Sequence, residues 1–221
     1  ANKNLKDAGI QAATLSINTG TLDNSEGQII SNHHLPLTVR QALINTQGLI
    51  ASGGGLDIGS DASMLPTINN DSGQLHAAGN MSLSGKTLNN NGAILSNGSV
   101  TAKIQHQLQN SGLISAQTAV QIQSPNVLNN GRINTAGKLV AKADNWINNQ
   151  GRVEADAIVL DSTQLDNRNG TLQQNGQGNL TIHIRNGLNN RQGILGAAQT
   201  GSALTTTNGS ISNNQNNARP T

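Results

Sequence analysis

The sequence lacks the residues from which compact domains usually build a large core or a covalent framework. Its 221 residues include no cysteine, phenylalanine or tyrosine, and they include a single tryptophan, Trp146. The absence of cysteine excludes disulfide bonds and thiolate metal sites. Because aromatic side chains supply much of the buried area of ordinary cores, this chain must build its core from small, regular layers of Leu, Ile, Val and Ala.

Strong charge and long apolar runs are also missing. Charged residues make up 11% of the chain and the formal net charge is +2. The lysines and arginines stand singly, so no basic stripe predicts a nucleic-acid partner. No apolar run approaches the roughly 20 residues of a membrane-spanning helix, so we predict no transmembrane segment. The opening ANKNLKDAGI shows no signal-peptide pattern, and we expect an internal piece of a longer exported protein rather than a protein that is not exported.

Asparagine and glycine are abundant instead, with 33 and 25 residues. Polar, glycine-rich chains often stay disordered, but here apolar residues keep a fixed register with Asn/Gly turns. The clearest repeat is LNNNGAI at residues 88–94, which returns as LQNSGLI at residues 108–114. Between the two, Val100, Ala102 and Ile104 alternate with polar residues. This alternation predicts a strand with one buried face.

Similar turns recur along the chain with a mean spacing of about 21 residues, a period that is typical of solenoids. Each turn is predicted to contain a leading asparagine and a glycine. The predicted turn asparagines are Asn24, Asn45, Asn70, Asn90, Asn110, Asn130, Asn149, Asn167 and Asn190. The predicted turn glycines are Gly27, Gly48, Gly73, Gly92, Gly112, Gly131, Gly151, Gly170 and Gly193. We expect the asparagines to stack into an amide ladder and the glycines to supply positive φ angles.

Helical solenoids have similar periods, but Asn and Gly at every turn and strands of period two disfavour helices. Leucine-rich repeats have a denser leucine pattern than this chain. The sequence therefore predicts an all-β fold, a right-handed parallel β-helix of about nine to ten coils with about 20 residues per coil. We expect one repeat domain over residues 1–204, with regular coils over 22–197. A fading last coil and a polar tail are expected at residues 205–221.

The Leu-x-Asn-x-x-Gly-x-Ile pattern resembles the haemagglutinin repeats of filamentous haemagglutinin, which also form the stalks of contact-dependent growth inhibition effectors. The clearest matches are residues 88–94, 108–114 and 147–153, and the resemblance covers residues 22–197. It implies a β-helical rod within a large two-partner-secretion exoprotein of Gram-negative bacteria. It also implies an outer-membrane transporter as the partner of the parent protein and display on the bacterial cell surface. Adhesion to host or neighbouring cells, or delivery of a toxin, would then be a property of the parent.

A structural or adhesive stalk without catalytic activity, cofactor or metal is accordingly the expected function. The alternative is a module that binds a receptor or glycan through loops. The repeat is irregular at residues 32–41 and 52–66, and extra residues leave a solenoid as loops. Weak candidates for binding residues are His33, His34, Asp57 and Trp146.

A carbohydrate-active enzyme is a remote alternative, because some enzymes of this class are β-helices. Glycoside hydrolysis generally needs two carboxylates at a fixed separation, and Asp144 and Asp161 are out of register with the turns. A metal site at His33 and His34 lacks a third ligand in the nearby sequence. The segment GGGLD at residues 53–57 is a single copy of a motif that binds calcium only as a repeat.

Overall fold

The computed structural model describes residues 9–59 and 66–213, and these form a parallel β-solenoid without helices. Its coils stack so that equivalent strands pair in parallel, about 20 residues apart in sequence. The predicted all-β, stacked-coil fold is therefore confirmed. Within the described ranges, no helix is long and apolar enough to cross a membrane.

Each coil contributes one short strand to a 10-stranded sheet. Its strands are β1 (Ile10–Ala12), β3 (Gln28–Ser31), β5 (Leu49–Ser52), β8 (Gln74–Ala77), β10 (Ala93–Ser96), β12 (Leu113–Ala116), β15 (Arg132–Thr135), β17 (Arg152–Ala155), β19 (Thr171–Gln174) and β21 (Ile194–Ala197). We call the surface of this sheet face A.

The remainder of each coil belongs to a 13-stranded sheet. Its strands are β2 (Ile17–Asp23), β4 (Leu35–Ile44), β6 (Leu56–Gly59), β7 (Thr67–Asn70), β9 (Met81–Asn90), β11 (Ser99–Asn110), β13 (Ala119–Gln123), β14 (Asn126–Asn129), β16 (Lys138–Ile147), β18 (Ala157–Asp166), β20 (Leu180–Asn189), β22 (Ala203–Thr206) and β23 (Ser210–Ser212).

The second sheet changes direction in the middle of each coil. In β11 and β18 the register shifts between Ile104 and Gln107 and between Ser162 and Gln164. Three other coils use separate strands, β6 with β7, β13 with β14 and β22 with β23. The sheet thus presents two surfaces, face B before the bend and face C after it. Each coil therefore has three sides, and face C leads through the asparagine turn into face A of the next coil.

The core is a set of columns of identical or similar apolar residues. On face A, Ile94 pairs with Leu75 in the preceding coil and with Ile114 in the following one. On face C, Leu88 lies between Ile68 and Leu108. All six side chains are at most 1% exposed. Burial of one such side chain contributes about 1.5–3 kcal/mol, so repetition stabilises the rod without aromatic residues.

The structure differs from the sequence prediction at the two irregular segments. Residues 35–41 are not a loop but part of strand β4, and Leu35, Leu37 and Val39 are buried in the core. In the second segment, β6 occupies residues 56–59 with Leu56 and Ile58 buried. The extra length of this coil falls between β6 and β7, and its residues 60–65 lie outside the described part of the chain.

The last described coil is formed by β21, β22 and β23. Its inward residues Leu204 and Ile211 are 42% and 51% exposed, because no described coil stacks on them. The described part of this coil ends at Asn213. Residues 214–221 of the expected polar tail lie outside the described residues.

Candidate functional site

A continuous column of asparagine side chains runs along the corner between face C and face A. Each Nδ2 donates to Oδ1 of the asparagine in the next coil, at 2.7–2.8 Å. The members are Asn24, Asn45, Asn70, Asn90, Asn110, Asn129, Asn148, Asn167, Asn190 and Asn213. The members from Asn24 to Asn190 are buried.

The same amide groups also satisfy the backbone of the turns. Nδ2 of Asn45 lies 3.1 Å from the carbonyl oxygen of Gly48 in its own turn and 3.1 Å from that of Gln74 in the next coil. A buried polar group without a partner costs about 1–3 kcal/mol. Here the side-chain amide is satisfied and adds a hydrogen bond to the carbonyl of Gly48, which also accepts from the backbone N–H of Gln74 at 2.8 Å. The column is therefore part of the architecture.

Two positions of this column differ from the sequence prediction. Asn129 and Asn148 belong to the ladder, whereas the predicted Asn130 is exposed and Asn149 is half-buried. The cause is the alternation of inward and outward side chains along the strands of face C. A shift of one residue along a strand moves a side chain from one face to the other. Val127 and Trp146 occupy the inward place, and the ladder asparagine follows two residues later.

The turn glycines serve close packing and not a left-handed backbone, so the expected positive φ was wrong. Among the described turns, positive φ values of 54–63° occur at Glu26, Gln47, Ser72, Gln150, Asn169 and Gln192, each directly before the glycine. A Cβ atom on Gly48 would lie 2.1 Å from the backbone oxygen of Asn24. On Gly92 it would lie 2.1 Å from the oxygen of Gly73. Any side chain here would therefore push neighbouring coils apart.

A second polar column was missed by sequence reasoning. It lies at the corner between faces A and B, four residues after the turn glycine. Ser52 donates from Oγ to the carbonyl oxygens of His33 and Gly55, and Ser96 donates to those of Gly79 and Ser99. Other coils place Ala, Thr or Gln at this position. The constant distance from the glycine was the signal that could have revealed it.

The four weak candidates for binding residues do not form one site. Nε2 of His34 lies 3.2 Å from Oδ2 of Asp57 in the neighbouring coil, and both side chains are 54% exposed. His33 is exposed beside them. In the described ranges, no three His, Cys, Asp or Glu side chains come together as a metal site would require.

Trp146 lies in the core and not on the surface. It is 1% exposed and is stacked between Val127 and Leu165 on the inner side of face C. Its Nε1 has no hydrogen-bond partner among the described residues. A direct contact between this indole and a ligand at the surface is therefore excluded in the folded rod.

A polar groove of about 420 Å³ crosses face A near β15 and β17. Within it Glu154 accepts hydrogen bonds from Nη2 of Arg152 at 2.6 Å and from Nη2 of Arg132 at 2.8 Å. The Glu154 side chain is 11% exposed. The hydrogen bond from Arg152 is the main cause that holds the pKa of Glu154 below its ordinary value. Sequence reasoning did not predict this cluster.

The two carboxylates considered for catalysis are each placed beside basic groups. Asp144 lines a groove of about 410 Å³ together with Lys103 and Lys142. Asp161 forms an ion pair with Arg185. Neither arrangement resembles an acid and a base facing each other across a substrate cleft.

Comparison with known proteins finds a similarity to the toxin CdiA of Escherichia coli. The two are 31% identical over 102 residues, which are 45% of this chain and 3% of CdiA. No family model and no solved structure matches the chain. The chain therefore corresponds to a small part of this relative, and its stacked coils are compatible with a repeat of the filamentous haemagglutinin and CdiA type.

Proposed function

We propose that this chain is a non-catalytic stalk segment of a large exported protein and that it holds other parts of that protein away from the cell surface. The observation that carries the proposal is the unbroken asparagine ladder, which links every described coil from Asn24 to Asn213. A hydrogen-bonded column that joins all described coils contributes to the length and stiffness of the rod. It does not bring reactive side chains together at one site.

The geometry fits this task. Parallel strands are spaced about 4.8 Å apart, so about ten coils give a rod roughly 45 Å long. Each coil contacts only its neighbours, so length is changed by adding or removing coils without altering the cross-section. Stacked Leu, Ile and Val columns and the amide ladder resist bending throughout the described rod.

The similarity to CdiA supports the cellular setting of the proposal. The parent would be a Gram-negative exoprotein, secreted through an outer-membrane two-partner-secretion transporter and displayed on the cell surface. A chain without cysteine passes through an oxidising compartment without forming disulfides. Adhesion or toxin delivery would belong to other parts of the parent, and this segment would set their distance from the membrane.

The test is to shorten the stalk in the parent protein in phase and out of phase. Deleting residues 92–130 removes two complete coils and joins Asn91 to Gly131, which restores an Asn-x-Gly turn. Deleting residues 92–120 removes fewer residues but breaks the register. We expect the first variant to be displayed and to keep the parent's activity, and the second to be lost from the surface. An in-phase variant that is displayed but inactive would contradict a purely structural role.

A further inference from the structure

The outward side of face A is rich in apolar residues over five successive strands, from β3 to β12. Each strand directs its first and third residues outward. Six of these ten positions hold half-buried apolar residues, namely Ile30, Leu49, Ala51, Ala93, Leu95 and Leu113. The other four hold Gln28, Gln74, His76 and Ser115. On face B the outward residues of the same coils are more polar, as Thr101 and Lys103 show. A contiguous apolar area of this kind marks an interaction surface.

Charged residues follow the apolar area along the same two outward columns. The first positions of β15 and β17 hold Arg132 and Arg152, and the third position of β17 holds Glu154. The Arg152 side chain is 58% exposed and binds Glu154 through Nη2. A guanidinium has five N–H donors, so Arg152 can also bind a carboxylate outside its own rod. The positive charges therefore lie in the first column and the negative charge lies in the third.

This order of residues is self-complementary about a two-fold axis that runs along the rod over the middle of face A. Rotation by 180° about this axis keeps each coil opposite the same coil of a second copy and exchanges the two outward columns. Leu49 then faces Ala51 of the second copy, and Ala93 faces Leu95. Arg152 faces Glu154 of the second copy. Two sheets can pack in this way about 10 Å apart, with their strands aligned within about 30°.

An antiparallel pair of rods fits the same face less well. A two-fold axis along β8 would superimpose the apolar areas, but it would leave β17, β19 and β21 uncovered. An antiparallel pair in which all ten strands overlap would place Leu49 against Arg152 and Ala51 against Glu154. Charged groups would then lose water without gaining an opposite charge. The distribution of residues thus favours parallel rods.

From this pattern we infer that face A is an interface through which two copies of this chain associate side by side, with their rods parallel and in register. Strand spacing and strand length give a contact area of about 600 Å² per copy. This is less than the roughly 800 Å² per partner of a standard stable interface. The dimer of this chain is therefore weak and reversible, and its formation depends on protein concentration.

Sedimentation equilibrium of the full chain between about 10 µM and about 1 mM tests the association. We expect the molar mass to rise from 22.8 kDa toward twice this value. Leu95→Asp should weaken the dimer at least about tenfold, because it places a charge in the apolar contact. The matched control is Val140→Asp on face B, where Val140 is 38% exposed, and it should leave the dimer unchanged. Unchanged Trp146 emission would show that each variant is folded.

Distances between nitroxide labels test the direction of the rods. The chain has no cysteine, so His33→Cys and Gln177→Cys each provide a single labelling site. Both residues are exposed at the corner between faces A and B, near opposite ends of the described rod. In parallel rods equal coils lie together, so both variants should give a short distance between copies in pulsed EPR. An antiparallel pair can bring only one of the two sites close to its own copy.

Three outcomes would overturn the inference. The first is that the chain remains a monomer at about 1 mM. The second is that folded Leu95→Asp protein dimerises as tightly as the unaltered chain, or that Val140→Asp weakens the dimer as much as Leu95→Asp does. The third is that fewer than two of the labelled variants give a short distance. None of these results would affect the proposed stalk function, which depends on the inward residues.

Discussion

Nδ2 of Asn129 donates a hydrogen bond of 2.7 Å to Oδ1 of Asn148, which lies in the next coil and is fully buried. Asn129 itself accepts from Asn110 at 2.8 Å. It is therefore both an acceptor and a donor in the ladder, and its removal leaves a gap on both sides. Asn130, the next residue, is exposed.

This pair of adjacent asparagines provides a matched test of the ladder. We expect Asn129→Ala to lower the free energy of unfolding by about 2–4 kcal/mol, because it removes the buried acceptor of Asn110 Nδ2 and the buried donor to Asn148 Oδ1. The same change at Asn130 should alter it by less than about 0.5 kcal/mol. Urea unfolding followed by the fluorescence of Trp146 measures both. Equal effects at the two positions would disprove the assigned register.

Gly151 tests the close approach of neighbouring turns. A Cβ atom there would lie 2.2 Å from the backbone oxygen of Asn129 and 2.5 Å from Oδ1 of Asn148. We expect Gly151→Ala to destabilise the rod by more than about 3 kcal/mol, because backbone must move. At Gly187 a Cβ atom would meet its nearest atom at 3.9 Å, so Gly187→Ala should be nearly neutral. The same urea titration compares them, and a neutral Gly151→Ala would show that the turns adjust freely.

Gln150 tests the left-handed residue that precedes the glycine. Its φ is 63°, and Asn169 adopts φ 55° at the equivalent place in the next coil. Asparagine tolerates this conformation better than glutamine, whereas β-branched residues tolerate it poorly. We expect Gln150→Asn to raise the free energy of unfolding by about 0.5–1 kcal/mol and Gln150→Val to lower it by about 1 kcal/mol. The opposite order of urea midpoints would contradict this prediction.

Glu154 should make part of the stability depend on pH. Its pKa in the folded state is lowered from 4.5, first by the hydrogen bond from Arg152. A lowered pKa means that the ionised form favours folding, so this contribution is complete above about pH 4.5 and is lost as pH falls through the folded-state pKa. We expect the difference in urea midpoint between the unaltered chain and Glu154→Gln to shrink between pH 6 and pH 3. A constant difference would show that ionisation of Glu154 does not matter.

Trp146 reports on the core, since it is the only aromatic residue of the chain. Because the indole is 1% exposed, we expect emission at short wavelength and little quenching by iodide in the folded rod. Unfolding should shift the emission to longer wavelength and permit quenching. Strong quenching of the native protein would contradict the buried position.

The sequence predicted those features that depend on a constant spacing. The apolar residue two positions after each turn glycine, such as Ile94 after Gly92, stacks in the core as the repeat requires. The distance from the ladder asparagine to the glycine is not constant. It is two residues from Asn129 to Gly131 but three from Asn148 to Gly151. Where two asparagines are adjacent, the sequence alone therefore does not show which one belongs to the ladder. The inward or outward direction of each residue in the strand determines it.

Other features depend on contacts that spacing alone does not reveal. The motif HHLP at residues 33–36 looked like a loop, but Pro36 lies near the start of β4, where a missing N–H is tolerated. The groove on face A brings together Arg132, Glu154 and Asn175 from three successive coils. Each of these residues occupies a solvent-facing position of its own repeat, where polar residues are common. Their proximity became visible only once the coils were stacked.

The direction of the asparagine ladder gives the rod a polarity. Every amide donates toward the coil that follows it in sequence, from Asn24 to Asn213. A completed coil therefore offers the next one an unfilled amide donor and an open strand edge, so each coil serves as a template for its successor. A chain that emerges from its N-terminal end can add coils one at a time in the order of synthesis, and growth of the rod then follows the direction of the polypeptide.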